Sequence, residues 1–211
     1  MKDVMENGVC TIDTLVDRIV RARMQAPRRR SLLVAISGID GSGKGYVAQQ
    51  LEQALEAEGY RVATIDVDDW LERPATPTAS AAPVDRYYQD SASLDDLFRV
   101  VVRPLRDRRS VRAEAHGRGA AAFDDVDIVL LEGNFLLKWE FFPLYDLSVW
   151  IECSFSTALE RAIARVRGAV PPDETVWTYH RTYFPAQRLH LQLDNPRRAA
   201  TFVLRNDRLI E

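Results

Sequence analysis

Lysine, cysteine and histidine are scarce in this chain: 211 residues carry three lysines, two cysteines and three histidines. Cys10 and Cys153 lie far apart, show no C-x-x-C spacing and have no histidines placed beside them for metal, which fits a reduced intracellular compartment. Basic excess is also missing. With a formal net charge of -3, the chain lacks the basic face that neutralising nucleic-acid phosphates requires. Its one basic run, Arg28 to Arg30, reads as a solvated turn before a strand. The opening residues, MKDVMENGVC, lack the apolar run of a signal peptide, and no stretch is long enough to span a bilayer. These absences lead us to expect a soluble, cytoplasmic protein with neither nucleic acid nor membrane as partner.

What is present alternates between two periods. Thr11 to Met24 carries Ile12, Leu15, Val16, Ile19 and Val20 at helical spacing and is closed by Pro27, so residues 1–30 read as a helical lead-in. Residues 31–211 then read as one domain, since this length supports a single sizeable core. Apolar strands are expected at Ser31–Ser37, Arg61–Val67, Val126–Gly133, Leu147–Cys153 and Thr201–Arg205. Helices are expected from Lys44 to Glu58, stopping at Gly59, from Ser93 until Pro104 kinks or ends it, and from about Ser156 to Arg167. A last helical stretch, around Val176 to Leu193, is interrupted near Pro185. RPATPTASAAPV, Arg73 to Val84, has no periodic apolar face and reads as a surface loop. Strands alternating with helices imply an α/β fold, a parallel sheet with helices on both faces in three layers.

The first strand runs into Gly38-Ile39-Asp40-Gly41-Ser42-Gly43-Lys44, and a helix follows at once. That context gives G-x-x-x-x-G-K its meaning: a P-loop, whose glycines let successive N–H groups turn inward around a phosphate while the helix adds its positive end. One of only three lysines falls here, where it would reach the outer phosphates. Gly38, Asp40, Gly41, Ser42, Gly43, Lys44, Gly45 and Tyr46 are therefore the candidate nucleotide contacts within the loop. The Ser or Thr whose hydroxyl normally holds Mg²⁺ after the lysine is missing, since Gly45 has no side chain and Tyr46 is too long. Acids must then hold more of the metal. Asp66, Asp68, Asp69 and Glu132 stand at strand ends, where open parallel sheets bind their ligands, and Asp68 and Glu132 are the favoured pair. Each acid alone is more often a helix cap or a solvated turn residue; placement at strand ends beside the loop is what favours Asp68 and Glu132.

AISGIDGSGKG, TIDVDDWL, VLLEGNFLL and SFSTALERAIARVRG together resemble the uridine kinase and phosphoribulokinase-like family of P-loop kinases, which includes bacterial pantothenate kinases. The resemblance runs from Leu32 to Asp207. It implies a P-loop NTPase fold using ATP and Mg²⁺, with Asp68 as catalytic base toward a substrate hydroxyl and Glu132 as the magnesium-side acid. It also places Arg161, Arg165 and Arg167 near the transferring phosphate, with a lid near residues 161–175. Surface ion pairing is the alternative use of these arginines. By the same resemblance Asp90 is the counterpart of an aspartate that holds ribose hydroxyls, and His116 and Arg118 of VRAEAHGRG correspond to base-pocket residues.

Val111 and Ala113 stand where that family has pocket aromatics, which removes a stacking face for a pyrimidine; Trp70, Tyr87 and Tyr88 could rebuild one or simply pack in the core. Three readings follow. The first is a kinase moving the γ-phosphoryl of ATP to a hydroxyl of a nucleoside-like metabolite. The others are a kinase for pantothenate or another hydroxyl compound, and a catalytically weak ATP-binding protein. The partners expected are ATP and a small hydroxyl acceptor, with a homo-oligomer left open.

Overall fold

The computed structural model describes residues 10–70, 84, 87–88, 92–115 and 119–207. Thr11 caps α1 (Ile12–Gln25) by accepting from the Thr14 N–H. The chain then passes through β1 (Leu32–Gly38), α2 (Lys44–Ala57) and β2 (Val62–Asp66), which ends in a single 3-10 turn, Val67–Asp69. After α3 (Ala92–Leu97), a π turn (Phe98–Val102) and α4 (Arg103–Asp107) comes an antiparallel hairpin, β3 (Val111–Ala115) and β4 (Gly119–Phe123). Then follow β5 (Ile128–Gly133), β6 (Leu147–Glu152), α5 (Phe155–Arg165), α6 (Pro172–Thr178), a π turn (Tyr179–Tyr183), α7 (Phe184–Leu193), α8 (Pro196–Ala199) and β7 (Phe202–Arg205).

Five strands form one all-parallel sheet in the order β2-β5-β1-β6-β7. Every residue of β1 is buried, as expected of the central strand of a sheet covered on both faces. Its side chains alternate between layers. Leu32, Val34 and Ile36 join Leu15 and Ile19 of α1 and Val47, Leu51 and Leu55 of α2, so the lead-in helix packs into the main core. On the other face, Leu33 packs with α3, α4 and β3, while Ala35 packs with Ala158, Tyr179 and Phe184. This is the three-layer α/β architecture expected. The sheet's connections diverge at β1, which lies between β5 and β6, and this puts a crevice at the carboxyl ends of these strands.

Both proline-marked interruptions take one form. Neither proline ends its helix; each is preceded by a widened turn. Arg103 donates to the Phe98 carbonyl and Phe184 to the Tyr179 carbonyl, one residue farther back than in an α-helix. Pro104 and Pro185 follow directly, where a ring and a missing N–H would otherwise collide with an α-helical turn. The hairpin β3–β4 was not expected. The Arg73–Val84 stretch lies, apart from Val84, outside the described residues. Among the described residues no helix is long and apolar enough to cross a membrane.

Candidate active site

The loop between β1 and α2 is held by its backbone conformation and by crowding from outside. Gly41 (φ 78°) and Gly43 (φ 91°) are left-handed. A Cβ on Gly41 would stand 2.5 Å from the Ala158 carbonyl oxygen, and one on Gly43 would stand 2.4 Å from Asn206 Nδ2. Two side chains grip the outside of the loop. Arg161 Nη1 donates to the carbonyls of Gly41 and Ser42 at 3.3 and 3.2 Å, and Asn206 Nδ2 donates to that of Ser42 at 2.8 Å. Arg161 Nη2 also reaches the Asn206 carbonyl, at 2.8 Å. A peptide plane whose C=O is held outward points its N–H the other way, into the cradle.

Inside, Gly43 begins α2 without any side chain to cap its first turn, so that end offers N–H groups and a positive dipole to an anion. Ser42 is fully buried and its Oγ has no partner among the described atoms. Lys44 is 8% exposed, and its Nζ donates to the Ile39 carbonyl at 3.2 Å and to Asn134 Oδ1 at 2.9 Å. Two of its three N–H donors are thereby used, leaving one for a ligand. Asn134 comes directly after β5, and Phe135 beyond it is left-handed (φ 60°), a sharp turn at the mouth of the crevice. Tyr46 is exposed, and its Oη accepts from Gln50 Nε2 at 2.9 Å, one turn along α2.

Gly45 adjoins an acid. A Cβ at this position would stand 3.3 Å from Glu132 Oε1, so the carboxyl group fills the space that a Ser or Thr side chain would take. Burial, then repulsion from Asp66, holds the Glu132 carboxyl well above the usual carboxylate range; Asp68 adds to this and Lys44 partly offsets it. Glu132 is in register with Asp66 across β5 and β2. Asp66 itself caps the turn after β2, accepting from the Asp68 N–H at 2.8 Å; Asp68 is half-buried and Asp69 exposed. Among the described residues no group of three or more His, Cys, Asp and Glu forms a ready metal cage.

The arginines part ways. Arg161 holds the outside of the loop as described. Arg165, the last residue of α5, reaches over the loop to Asp40 Oδ2 at 3.2 Å and to Tyr179 Oη at 3.0 Å, and Tyr179 donates to the same Asp40 oxygen. Arg167 lies exposed past the helix end. Asp90, His116 and Arg118 fall outside the described residues. Val111 and Ala113 are buried in the core of the sheet's other face. Trp70 packs against that same core, whereas Tyr87 and Tyr88 stack edge-on against Phe135. Sequence reasoning did not single out Asn134, Tyr179 or Asn206. Asn134 and Asn206 share one signal, a polar amide directly after an apolar strand.

No protein-family model matches the chain. Solved structures do. One, from Bacillus stearothermophilus and described as a possible uridine kinase, aligns at 21% identity over 92% of this chain and 96% of that one, with a TM-score of 0.66. The fold is that of the P-loop kinases. A candidate fructose transport system kinase from Silicibacter sp. TM1040 aligns at 20% identity over 92% and 98% of the two chains, with a TM-score of 0.65. D-glycerate 3-kinase from Cryptococcus neoformans aligns at 13% identity over 86% and 89%, with a TM-score of 0.55. The fold of these kinases thus recurs here, with the glycine-shaped β1–α2 loop at the switch point of the sheet and the Glu132 carboxyl beside Gly45.

Proposed function

We propose that this protein is an ATP-dependent small-molecule kinase that moves a phosphoryl group to a hydroxyl of a nucleoside-like metabolite. The observation that carries the reading is the buried Lys44 ammonium at the mouth of an uncapped, glycine-shaped loop, with the Glu132 carboxyl of β5 near it and Asp66 of β2 in register with Glu132. Loop amides and Lys44 hold the phosphates. Asp68 accepts the proton of the attacking hydroxyl. Glu132, with Asp68 beside it, would hold Mg²⁺, which when bound neutralises charge on the outer phosphate oxygens. Arg165 and Arg167, near the end of α5, balance the charge that develops on the transferring group.

Glu132 answers the missing hydroxyl. Its carboxyl group takes the room beside residue 45 that a Ser or Thr side chain would fill, which supports its reading as the magnesium-side acid. The structures of similar fold are named for a nucleoside, a sugar and a hydroxy acid, all of which offer a hydroxyl acceptor. The deciding experiment is Mg²⁺-dependent ADP release measured across nucleosides, sugars, glycerate and pantothenate. Stimulation by one compound supports the kinase. Tight ATP binding with no turnover on any acceptor supports instead a binding protein in which Gly45 marks lost metal chemistry.

A further inference from the structure

A carboxylate inside a loop built to hold a polyanion works against its own purpose, because a negative charge near the phosphates repels them. Asp40 is such a carboxylate, and two groups from outside the loop meet it. Burial alone would raise its pKa, but Lys44, Arg165 and the hydrogen bonds from Tyr179 and Arg165 together hold it below the usual value. The two partners differ in freedom. Tyr179 is 4% exposed and wedged edge-on between Tyr183 and Phe184, so its hydroxyl is fixed in place. The Arg165 side chain is 61% exposed, against 19% for Asp40, and its contact is a single-nitrogen one at 3.2 Å. An exposed pair of this kind separates at little cost.

We infer that Asp40 is an internal stand-in for the terminal phosphate of the nucleotide: it holds Arg165 at the mouth of the loop until that phosphate takes the guanidinium over, and Tyr179 keeps Asp40 bonded once the arginine has left. The inference rests on the proposed role of Arg165 at the transferring phosphate. Asp40 and Tyr179 are then positioning residues, acting on the transferring phosphate through Arg165. Because Arg165 leaves Asp40 only for a terminal phosphate, the exchange separates ATP from ADP.

Titration calorimetry with ATP and with ADP, on the full chain, tests this. Asp40→Asn keeps the shape and removes the charge. ATP should bind about two- to fivefold tighter, the range set by a largely exposed ion pair, and ADP should gain less, because it shares only the relief of repulsion within the loop. Arg165→Ala should weaken ATP and erase the gain from Asp40→Asn. Tyr179→Phe keeps the ring packing, so it carries the test if Asp40→Asn fails to fold: in the native background it should weaken ATP more than ADP, and where Asp40→Asn folds it should be silent beside it. Weaker ATP binding by Asp40→Asn, equal shifts for ATP and ADP, or a Tyr179→Phe effect that persists beside Asp40→Asn would each overturn the inference. A wild-type chain that binds neither nucleotide overturns the kinase reading itself, a result distinct from a chain that binds ATP with the variants in the wrong order.

Discussion

Glu132 occupies the room that Gly45 leaves: the glycine has no side chain, and a Cβ there would come within 3.3 Å of Oε1. The contact sets the sign of two substitutions. Gly45→Ala adds bulk without a ligand and must push the carboxylate aside by a few tenths of an ångström. The Mg²⁺ concentration giving half-maximal ATP turnover should rise about tenfold, the low end of the effect of disturbing how a ligand is held. Gly45→Ser adds the same Cβ with a hydroxyl beyond it, and should return the midpoint to the wild-type value or below. Equal midpoints for all three proteins would remove the metal from this corner.

Glu132 also carries a prediction that needs neither metal nor nucleotide. Its folded-state pKa is pushed up to about 7 from an ordinary 4.5, by burial first and then by Asp66. The folded protein therefore binds this proton more tightly than the unfolded chain, and stability falls as pH rises from about 4.5 through about 7. Glu132→Gln removes the cost of the buried charge. It should stabilise the free protein at pH 8 by on the order of 1–3 kcal/mol, and the gain should vanish below about pH 4.5. Thermal melts of the two proteins across this range measure the difference, and a gain independent of pH would show that the charge is not its source.

Asp68 follows the cap residue Asp66 within the same turn and lies close enough to Glu132 to raise its pKa. If it takes the proton of the acceptor hydroxyl, Asp68→Asn should lower turnover by about 10²–10⁴-fold. Binding of ATP in the absence of Mg²⁺ should be unchanged, because the loop and Lys44 are untouched. Comparing turnover at saturating substrate with calorimetric affinity separates these effects. A loss confined to affinity would remove Asp68 from the chemistry.

The sheet was legible because each of its strands is a short apolar run ending at a turn, and the loop was legible because glycine spacing and a rare lysine coincide between a strand and a helix. The hairpin β3–β4 was not. Its second strand, GAAAF, is built mostly of residues that favour no strand, and pairing with VRAEA rather than any local preference makes it one. The π turns at Phe98–Val102 and Tyr179–Tyr183 left only a proline each as a trace. Tyr179 and Asp40 lie far apart in the chain and meet only because α5 and the helices after it fold back over the loop. Such contacts belong to tertiary packing, which no local pattern encodes. The same holds for Arg161: its helical spacing from Arg165 was readable, yet one reaches loop carbonyls while the other reaches Asp40.

Two glycines share a left-handed backbone and differ only in their surroundings, and this separates strain from crowding. Gly59, after α2, has φ 87° and open space where a Cβ would stand, whereas at Gly41 the Ala158 carbonyl oxygen lies 2.5 Å from that position. Gly59→Ala should destabilise by about 1–2 kcal/mol, the cost of a left-handed alanine. Gly41→Ala bears that cost together with an overpacking term of about 1–3 kcal/mol, because the loop and α5 must move apart. Its stability in urea should fall clearly below that of Gly59→Ala. The displaced loop should also lose its grip on the phosphates, so ATP affinity drops in Gly41→Ala and is retained in Gly59→Ala. Equal losses of stability with ATP affinity intact in both would mean that α5 yields freely, and that the loop does not depend on its contact with Ala158 for its shape.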